Sequence, residues 1–329
     1  MTAQIVCYLE CLVMLRRTLR TIETPFNLQK ERHKPMTMGL DNFYQRMLER
    51  IKQLRRERTE HEEILSFFTK VLAVQREAQK EITFTEIDLP EQQVKLKVDE
   101  GFPLMERENF PVDQDRSREL FKQLCQLSLK ENPILAAAGQ SLLEAMDRGN
   151  LDFAQLTAAV LRSDSELVDS SAKKLGLEYP VLQALVKLSL QPSLLETAAA
   201  VAEQVALDNW RYGYCPICGA PPAVAALVGE EGARQAACSF CGHCWRLPRV
   251  ACPFCNNEKQ EKLRYFYGEG EDLCRVQVCE GCRGYLKVID TRDGGDSTAI
   301  SVDDIATAHL DLLAEKEGYQ RRAPRLWGI

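Results

Sequence analysis

Four Cys-x-x-Cys knuckles fall within 68 residues near the C-terminal end of the chain, at Cys215/Cys218, Cys238/Cys241, Cys252/Cys255 and Cys279/Cys282. Two facing knuckles supply four thiolates, the tetrahedral donor set preferred by Zn²⁺ or a mononuclear iron. Four knuckles therefore make two sites. A disulfide framework has no need of this paired spacing, and a lone redox dithiol needs only one pair. Chain order favours one site from Cys215, Cys218, Cys238 and Cys241 and a second from Cys252, Cys255, Cys279 and Cys282, with interleaved pairing left open. Nineteen residues separate the pairs of the first site and twenty-three those of the second, each enough for a β-hairpin that brings the knuckles together. The two residues between ligands suit a tight turn whose N–H groups point at sulfur. Gly219 and Gly242 can supply the positive φ that such a turn demands just beyond its second cysteine.

Cys244 and Cys274 are alternate ligands by position, since Cys241-Gly-His243-Cys244 is a rival knuckle and Cys274 lies five residues before Cys279. Packing beside a ribbon is their simpler role, and His243 reads as a solvent-facing loop residue. The cofactors expected are two Cys₄-bound metal ions, zinc or mononuclear iron. Zinc would staple a β-rich region too thin to bury its own core; iron would permit electron transfer. With all four ligands drawn from protein in either case, no coordination position is open for hydrolysis, and no catalytic residue is assigned. The chain is expected not to be an enzyme.

Charge narrows the partners. There are 42 Lys and Arg against 48 Asp and Glu in 329 residues, and each loaded Cys₄ site adds about two negative charges. Nucleic-acid binding rests on phosphate neutralisation by Lys and Arg, so a zinc-ribbon nucleic-acid protein is disfavoured. No apolar run approaches the ~20 residues of a bilayer span, so membrane insertion is not expected. Ile5–Leu15 is apolar, but Glu10 interrupts it and Arg16, Arg17 and Arg20 follow it, the reverse of a secretory signal. An initiator at Met36 or Met38 is the simpler reading, and Cys7 and Cys11 are given no metal. Thirteen cysteines in an unexported chain imply a reducing, cytoplasmic location.

The length suits two domains. Residues 1–40 form an uncertain extension and 41–210 a helical domain; 211–290 hold the tandem Cys₄ ribbons, and 291–329 form a turn and a C-terminal helix packed on them. Phe43, Met47, Ile51 and Leu54 mark one helix face. Thr59 with Glu62, and Ser163 with Glu166, fit capping boxes. Pro90, Pro103 and Pro111 punctuate an extended connection in which Val94–Val98 alternates like a short strand. Helices resume at Ser117 and begin again near Pro133, Asp152, Ser163, Pro180 and Pro192, the prolines fitting first turns. Cys125 shares an apolar face with Phe121 and Leu129. Strands are expected over Leu263–Tyr267, Val276–Val278 and Tyr285–Ile289. A last helix starts around Asp303, with Ile305, Ala308, Leu312 and Leu313 facing inward and Gly318 ending it. The fold class is thus α plus small β: an all-α N-terminal domain, two tandem rubredoxin-like or zinc-ribbon modules, and a terminal helix.

These residues in this order resemble the FdhE family of formate dehydrogenase accessory proteins. The likeness runs from Tyr214-Cys-Pro-Ile-Cys-Gly-Ala-Pro-Pro222 through Cys238-Ser-Phe-Cys241, Trp245 and Arg249 to Cys252-Pro-Phe-Cys255. It continues through Cys279–Asp290, Asp303-Asp-Ile-Ala and Leu310-Asp-Leu-Leu to Glu317-Gly-Tyr319. The resemblance implies a cytoplasmic, chaperone-like maturation factor that binds the catalytic subunit of respiratory formate dehydrogenase before its twin-arginine export, without oxidising formate itself. Phe240, Trp245 and Phe254 beside the metal sites, with Arg246 and Arg249, are the candidate partner-binding residues; self-association is a further option. The alternative is rubredoxin-like electron transfer or redox sensing. A thiol oxidoreductase fits less well, because four paired knuckles exceed its needs and no βαβ pattern surrounds them. His33, His61, His243 and His309 share no motif, and His309 reads as a surface or packing residue.

Overall fold

The computed structural model describes residues 39–83 and 87–326. Cys7, Cys11, Met36 and Met38 lie outside the described residues. Eight helices precede the ribbons among those residues: α1 (Leu40–Glu57), α2 (Glu62–Gln79), α3 (Glu91–Glu100), α4 (Gln114–Ser128), α5 (Pro133–Asp147), α6 (Phe153–Arg162), α7 (Ser165–Lys174) and α8 (Tyr179–Gln204). On α1 the buried face is Tyr44, Met47, Ile51 and Leu54; Phe43 sits beside it, partly buried. Asp113, Asn132, Asp152 and Asp164 cap α4 to α7, each accepting an N–H from three residues on. Such a cap is worth about 1 kcal/mol.

Several local expectations fail for physical reasons. Ser163 is not a cap: it ends α6 in the left-handed conformation, φ 59°, and Asp164 caps α7 instead. Thr59 opens a 3₁₀ turn rather than capping α2. Val94–Val98 lies in α3, closed by Gly101 at φ 76°; its alternation came from Lys95 and Lys97, and Leu96 is left exposed. Leu129 is likewise exposed, whereas Cys125 and Phe121 are fully buried.

Pro192 does not begin a helix but sits within α8, whose 26 residues run through the middle of the body. Proline cannot donate to the carbonyl four residues back, here that of Leu188. Gln75 of α2, fully buried, donates Nε2 to that carbonyl at 2.7 Å and restores the missing bond. The helix survives its proline because a neighbouring helix completes it.

After Trp210 the chain forms β1 (Pro222–Val228), β2 (Ala233–Cys238), β3 (Cys244–Arg246), β4 (Leu263–Tyr267), β5 (Cys274–Cys279), β6 (Gly284–Asp290) and β7 (Gln320–Arg321). The three strands expected fall within β4, β5 and β6; β1 and β2 are the hairpin expected between the knuckles of the first site, whose strand residues had not been assigned, and β3 was not anticipated. Each ribbon repeats one plan of knuckle, hairpin, knuckle, strand. The ribbons are not separate beads, because one sheet of order β3-β2-β1-β6-β5-β4 runs through both, with β7 added to β6. The joint is a parallel pairing of β1 with β6, in which Ala225 faces Val288 and Leu227 faces Asp290. One apolar core spans the helical body and the first ribbon, and a smaller one lies under β5, β6 and the C-terminal helices.

The terminal helix is two helices, α9 (Ile300–Ala306) and α10 (Ala308–Lys316), with Gly318 at φ 78° just beyond. Leu312 faces outward and is half exposed. A buried ionic cluster ties this end to the sheet. Lys287 of β6, with no exposed surface, reaches Asp304 and Asp311 at 2.8 Å each. Arg321 of β7 binds the same two carboxylates at 2.7 Å each, and Arg325 adds a third cation against Asp311.

Candidate metal centres

The structure gathers the eight knuckle sulfurs into two groups, Cys215, Cys218, Cys238, Cys241 and Cys252, Cys255, Cys279, Cys282, with all Sγ atoms of a group within 4.8 Å of one another. In the first group Cys215 and Cys241 are 3.7 Å apart and Cys218 and Cys238 3.4 Å. In the second, Cys252–Cys282 and Cys255–Cys279 are both 3.7 Å. A tetrahedron of sulfurs about 2.3 Å from a central ion has edges of about 3.8 Å, so each group fits such an ion.

Local backbone chemistry supports thiolates here. In the first centre the N–H groups of Phe240 and Cys241 approach Cys238 Sγ at 3.4 and 3.5 Å. In the second, the N–H groups of Phe254 and Cys255 aim at Cys252, and those of Gly281 and Cys282 at Cys279. The residue after each knuckle is left-handed in all four cases: Gly219 at 71°, Gly242 at 74°, Asn256 at 55° and Arg283 at 56°. Gly219, Asn256 and Arg283 each use that turn to donate N–H to the first cysteine carbonyl of their knuckle, at 2.9, 2.9 and 2.8 Å.

Burial raises the Cys215 and Cys241 thiols well above their ordinary value. Cys238 is buried too, but hydrogen bonds from the other three sulfurs outweigh that and hold it low. Four buried sulfurs sharing so little negative charge are a donor set suited to a cation, which would ionise them all.

Cys244 and Cys274 stand outside both groups. Burial pushes each thiol up to about 12, so both are neutral packing groups. Cys244 is on β3, pointing at the Gly242 carbonyl, and Cys274 lies in the smaller core. His243 is partly buried rather than solvent-facing; its carbonyl accepts the Cys238 N–H at 2.9 Å. His309 Nε2 lies 2.9 Å from a carboxylate oxygen of buried Glu271 and its ring stacks on His61, so these two histidines are neighbours despite lacking a common motif.

Three features next to the centres came from distant segments and had no local signal. The proline-punctuated connection crosses the first knuckle, where Leu104 and Met105 donate N–H to the Pro216 and Ile217 carbonyls at 2.9 and 2.8 Å. Lys187 of α8 is buried and donates Nζ to the Ser239 carbonyl, inside the second knuckle, at 2.6 Å. Burial pulls its ammonium down to about 7, against the attraction of the Cys238 and Cys218 sulfurs. Arg234 of β2, also buried, reaches from the first ribbon to the Ala251 carbonyl at 2.9 Å. It lines a cavity of about 10 Å³ with Cys252 and Pro253, far smaller than the ~300–1,000 Å³ of most small-molecule sites.

The candidate partner residues separate. Phe240 and Trp245 are interior: Phe240 packs edge-on against Phe110 at 5.4 Å, and Trp245 donates Nε1 to the Tyr212 carbonyl at 3.2 Å. They cover the first centre from within and cannot anchor a partner. Arg246 and Arg249 are exposed, and Phe254 is partly buried.

Residues 250–327 match the family described as the C-terminal domain of FdhE. The chain is 26% identical over 275 residues to a protein named FdhE homolog from Aquifex aeolicus, covering 83% of this chain and 90% of that one. It is 29% identical over 240 residues to another from Stutzerimonas stutzeri, covering 66% and 74%. Its fold is like that of the crystal structure of the FdhE protein from Pseudomonas aeruginosa, with TM-score 0.64, 21% identity, and coverage of 90% of this chain and 97% of that one. A matched C-terminal domain, relatives aligned over most of their length and a shared fold agree in making this chain similar to the FdhE proteins.

Proposed function

We propose that the protein is a non-catalytic accessory factor that binds the catalytic subunit of formate dehydrogenase in the cytoplasm and supports its maturation before twin-arginine export. The observation that carries this reading is the match of residues 250–327 to the FdhE C-terminal domain, in a chain whose two candidate centres each have four protein sulfurs, leaving no ligand position for substrate. Cys215, Cys218, Cys238 and Cys241 would hold one ion, and Cys252, Cys255, Cys279 and Cys282 the other. Zinc there would cross-link the ribbons; iron would add a one-electron couple. No helix among the described residues is long and apolar enough to cross a membrane, which agrees with a partner met before export.

With Phe240 and Trp245 buried, the proposed contact is the exposed run around Arg246, Arg249 and Val250, beside the second ribbon. An anaerobic pull-down tests it. Recovery of the formate dehydrogenase catalytic subunit, weakened by Arg246→Glu while the fold is kept, supports the reading; failure to recover an abundant subunit refutes it. Electron transfer is the second reading, favoured by the exposure of Cys255 at one centre. It requires iron with a reversible change in visible absorption, and a purified protein carrying zinc alone would exclude it.

A further inference from the structure

The two centres share a donor set but not an environment. The four sulfur residues of the first are at most 4% exposed. In the second, Cys252 and Cys279 are buried, Cys282 is partly exposed and Cys255 is exposed. Over the first centre lies the Leu104–Met105 strap, with Pro103 so close to Gly219 that an added Cβ would meet its Cγ at 2.8 Å. Lys187 and the Phe110–Phe240 pair close it from the helical side. Around the second, residues 255, 256 and 258–262 are all exposed.

The turns differ in the same sense. The first centre uses Gly219 and Gly242 in the left-handed conformation, where glycine has no Cβ to clash. The second uses Asn256 and Arg283, which carry a backbone penalty that glycine escapes. Arg283 is held in place by the Tyr319 ring at 3.9 Å and by Glu280 at 2.8 Å. Asn256, next to exposed Cys255, is itself exposed. Restraint is therefore weakest at the Cys252–Cys255 knuckle.

We infer that the centres differ in permanence: Cys215/Cys218/Cys238/Cys241 is a fixed staple of the fold, whereas Cys252/Cys255/Cys279/Cys282 opens at Cys255 and gives up its ion to an incoming thiol or chelator. In the exchange a bond forms from the incoming thiol sulfur to the ion as the Cys255 Sγ bond breaks. The thiol's proton passes to Cys255, so net charge is unchanged and nothing is oxidised. The division holds for any protein partner.

Full-length protein loaded with two equivalents of Zn²⁺ is mixed with excess 4-(2-pyridylazo)resorcinol, and in parallel with iodoacetamide followed by peptide mass spectrometry. One equivalent is expected to leave at least ~10-fold faster than the other, the scale by which a metal's surroundings alter its retention. The first adduct is expected at Cys255. A single phase for both ions, or adducts appearing first at Cys215, Cys218, Cys238 or Cys241, overturns the inference. Asn256→Gly keeps all eight sulfurs and removes the strained side chain, so it slows the fast phase alone; slowing of both phases, or of neither, overturns it as well.

Discussion

Lys287→Met removes a buried cation while roughly preserving volume, and its cost follows from the groups left behind. The ammonium faces the Asp304 and Asp311 carboxylates at 2.8 Å each, the Asp304 carbonyl at 2.6 Å, and the Thr307 carbonyl and hydroxyl at 3.2 Å each. The cluster sets three cations, Lys287, Arg321 and Arg325, against two carboxylates, so after the substitution Arg321 and Arg325 face Asp304 and Asp311 with charge balanced. Arg321 still bonds both carboxylates, and the Thr307 carbonyl keeps the Leu310 N–H at 3.0 Å. The Asp304 carbonyl loses its 2.6 Å bond inside the core. An orphaned buried acceptor costs about 1–3 kcal/mol, and with the weakened ion pairs the expected loss is about 2–4 kcal/mol. Asp311→Asn leaves three cations facing one carboxylate and is expected to cost more, about 3–5 kcal/mol. Guanidinium unfolding of metal-loaded protein at pH 7, followed by far-ultraviolet circular dichroism, measures both. Lys287→Met as stable as the parent, or less stable than Asp311→Asn, would refute the charge count. Burial favours neutral carboxyls here, but Arg321, Lys287 and Arg325 outweigh it and hold Asp304 and Asp311 below the usual carboxylate range. Their contribution is therefore complete above about pH 4 and is lost as pH falls below it.

Phe240→Ala, which empties the contact with Phe110 over the first centre, is expected to lower stability by about 3–5 kcal/mol and to speed loss of the first centre's ion; an unaltered unfolding midpoint would restore Phe240 as a surface residue. Glu271 is buried, yet Arg58 and His309 hold its carboxyl down at about 2; its stabilisation is present above the ordinary value of 4.5 and lost as pH falls through about 2. Glu271→Gln should thus cost about 1–2 kcal/mol at pH 7, with the gap from the parent closing on acidification, as paired denaturation curves would reveal. Gly213→Ala puts a methyl 2.1 Å from the Pro253 carbonyl oxygen, and because both partners are backbone the ribbons must shift; a midpoint within error of the parent would show that this junction can relax.

The knuckle spacing by itself determined that eight sulfurs form two sets of four, because a Cys-x-x-Cys turn is closed by its own backbone N–H groups and needs no distant help. The strands β4, β5 and β6 were legible for a similar reason, since Leu263–Tyr267 and Tyr285–Ile289 are rich in aromatic and β-branched residues. Strand β1 was not: Pro-Ala-Val-Ala-Ala-Leu-Val is a continuous apolar run that becomes a strand by pairing with β2 and, in parallel, with β6. Pro192 misled for the converse reason, as the donor that rescues its helix is on Gln75, 113 residues along the chain from the Leu188 carbonyl it serves.

Only tertiary structure decided how the two centres differ in exposure. In sequence they share a knuckle spacing and differ at the residue after each knuckle, Gly219 and Gly242 against Asn256 and Arg283, but nothing in the spacing says that residues 103–105 will strap one knuckle or that Lys187 will reach into it. Nor does it say that Phe240 and Trp245 turn inward while Cys255 stays on the surface. Ligand geometry is encoded over four residues, but exposure is set by what packs alongside, which depends on contacts between segments far apart in the chain.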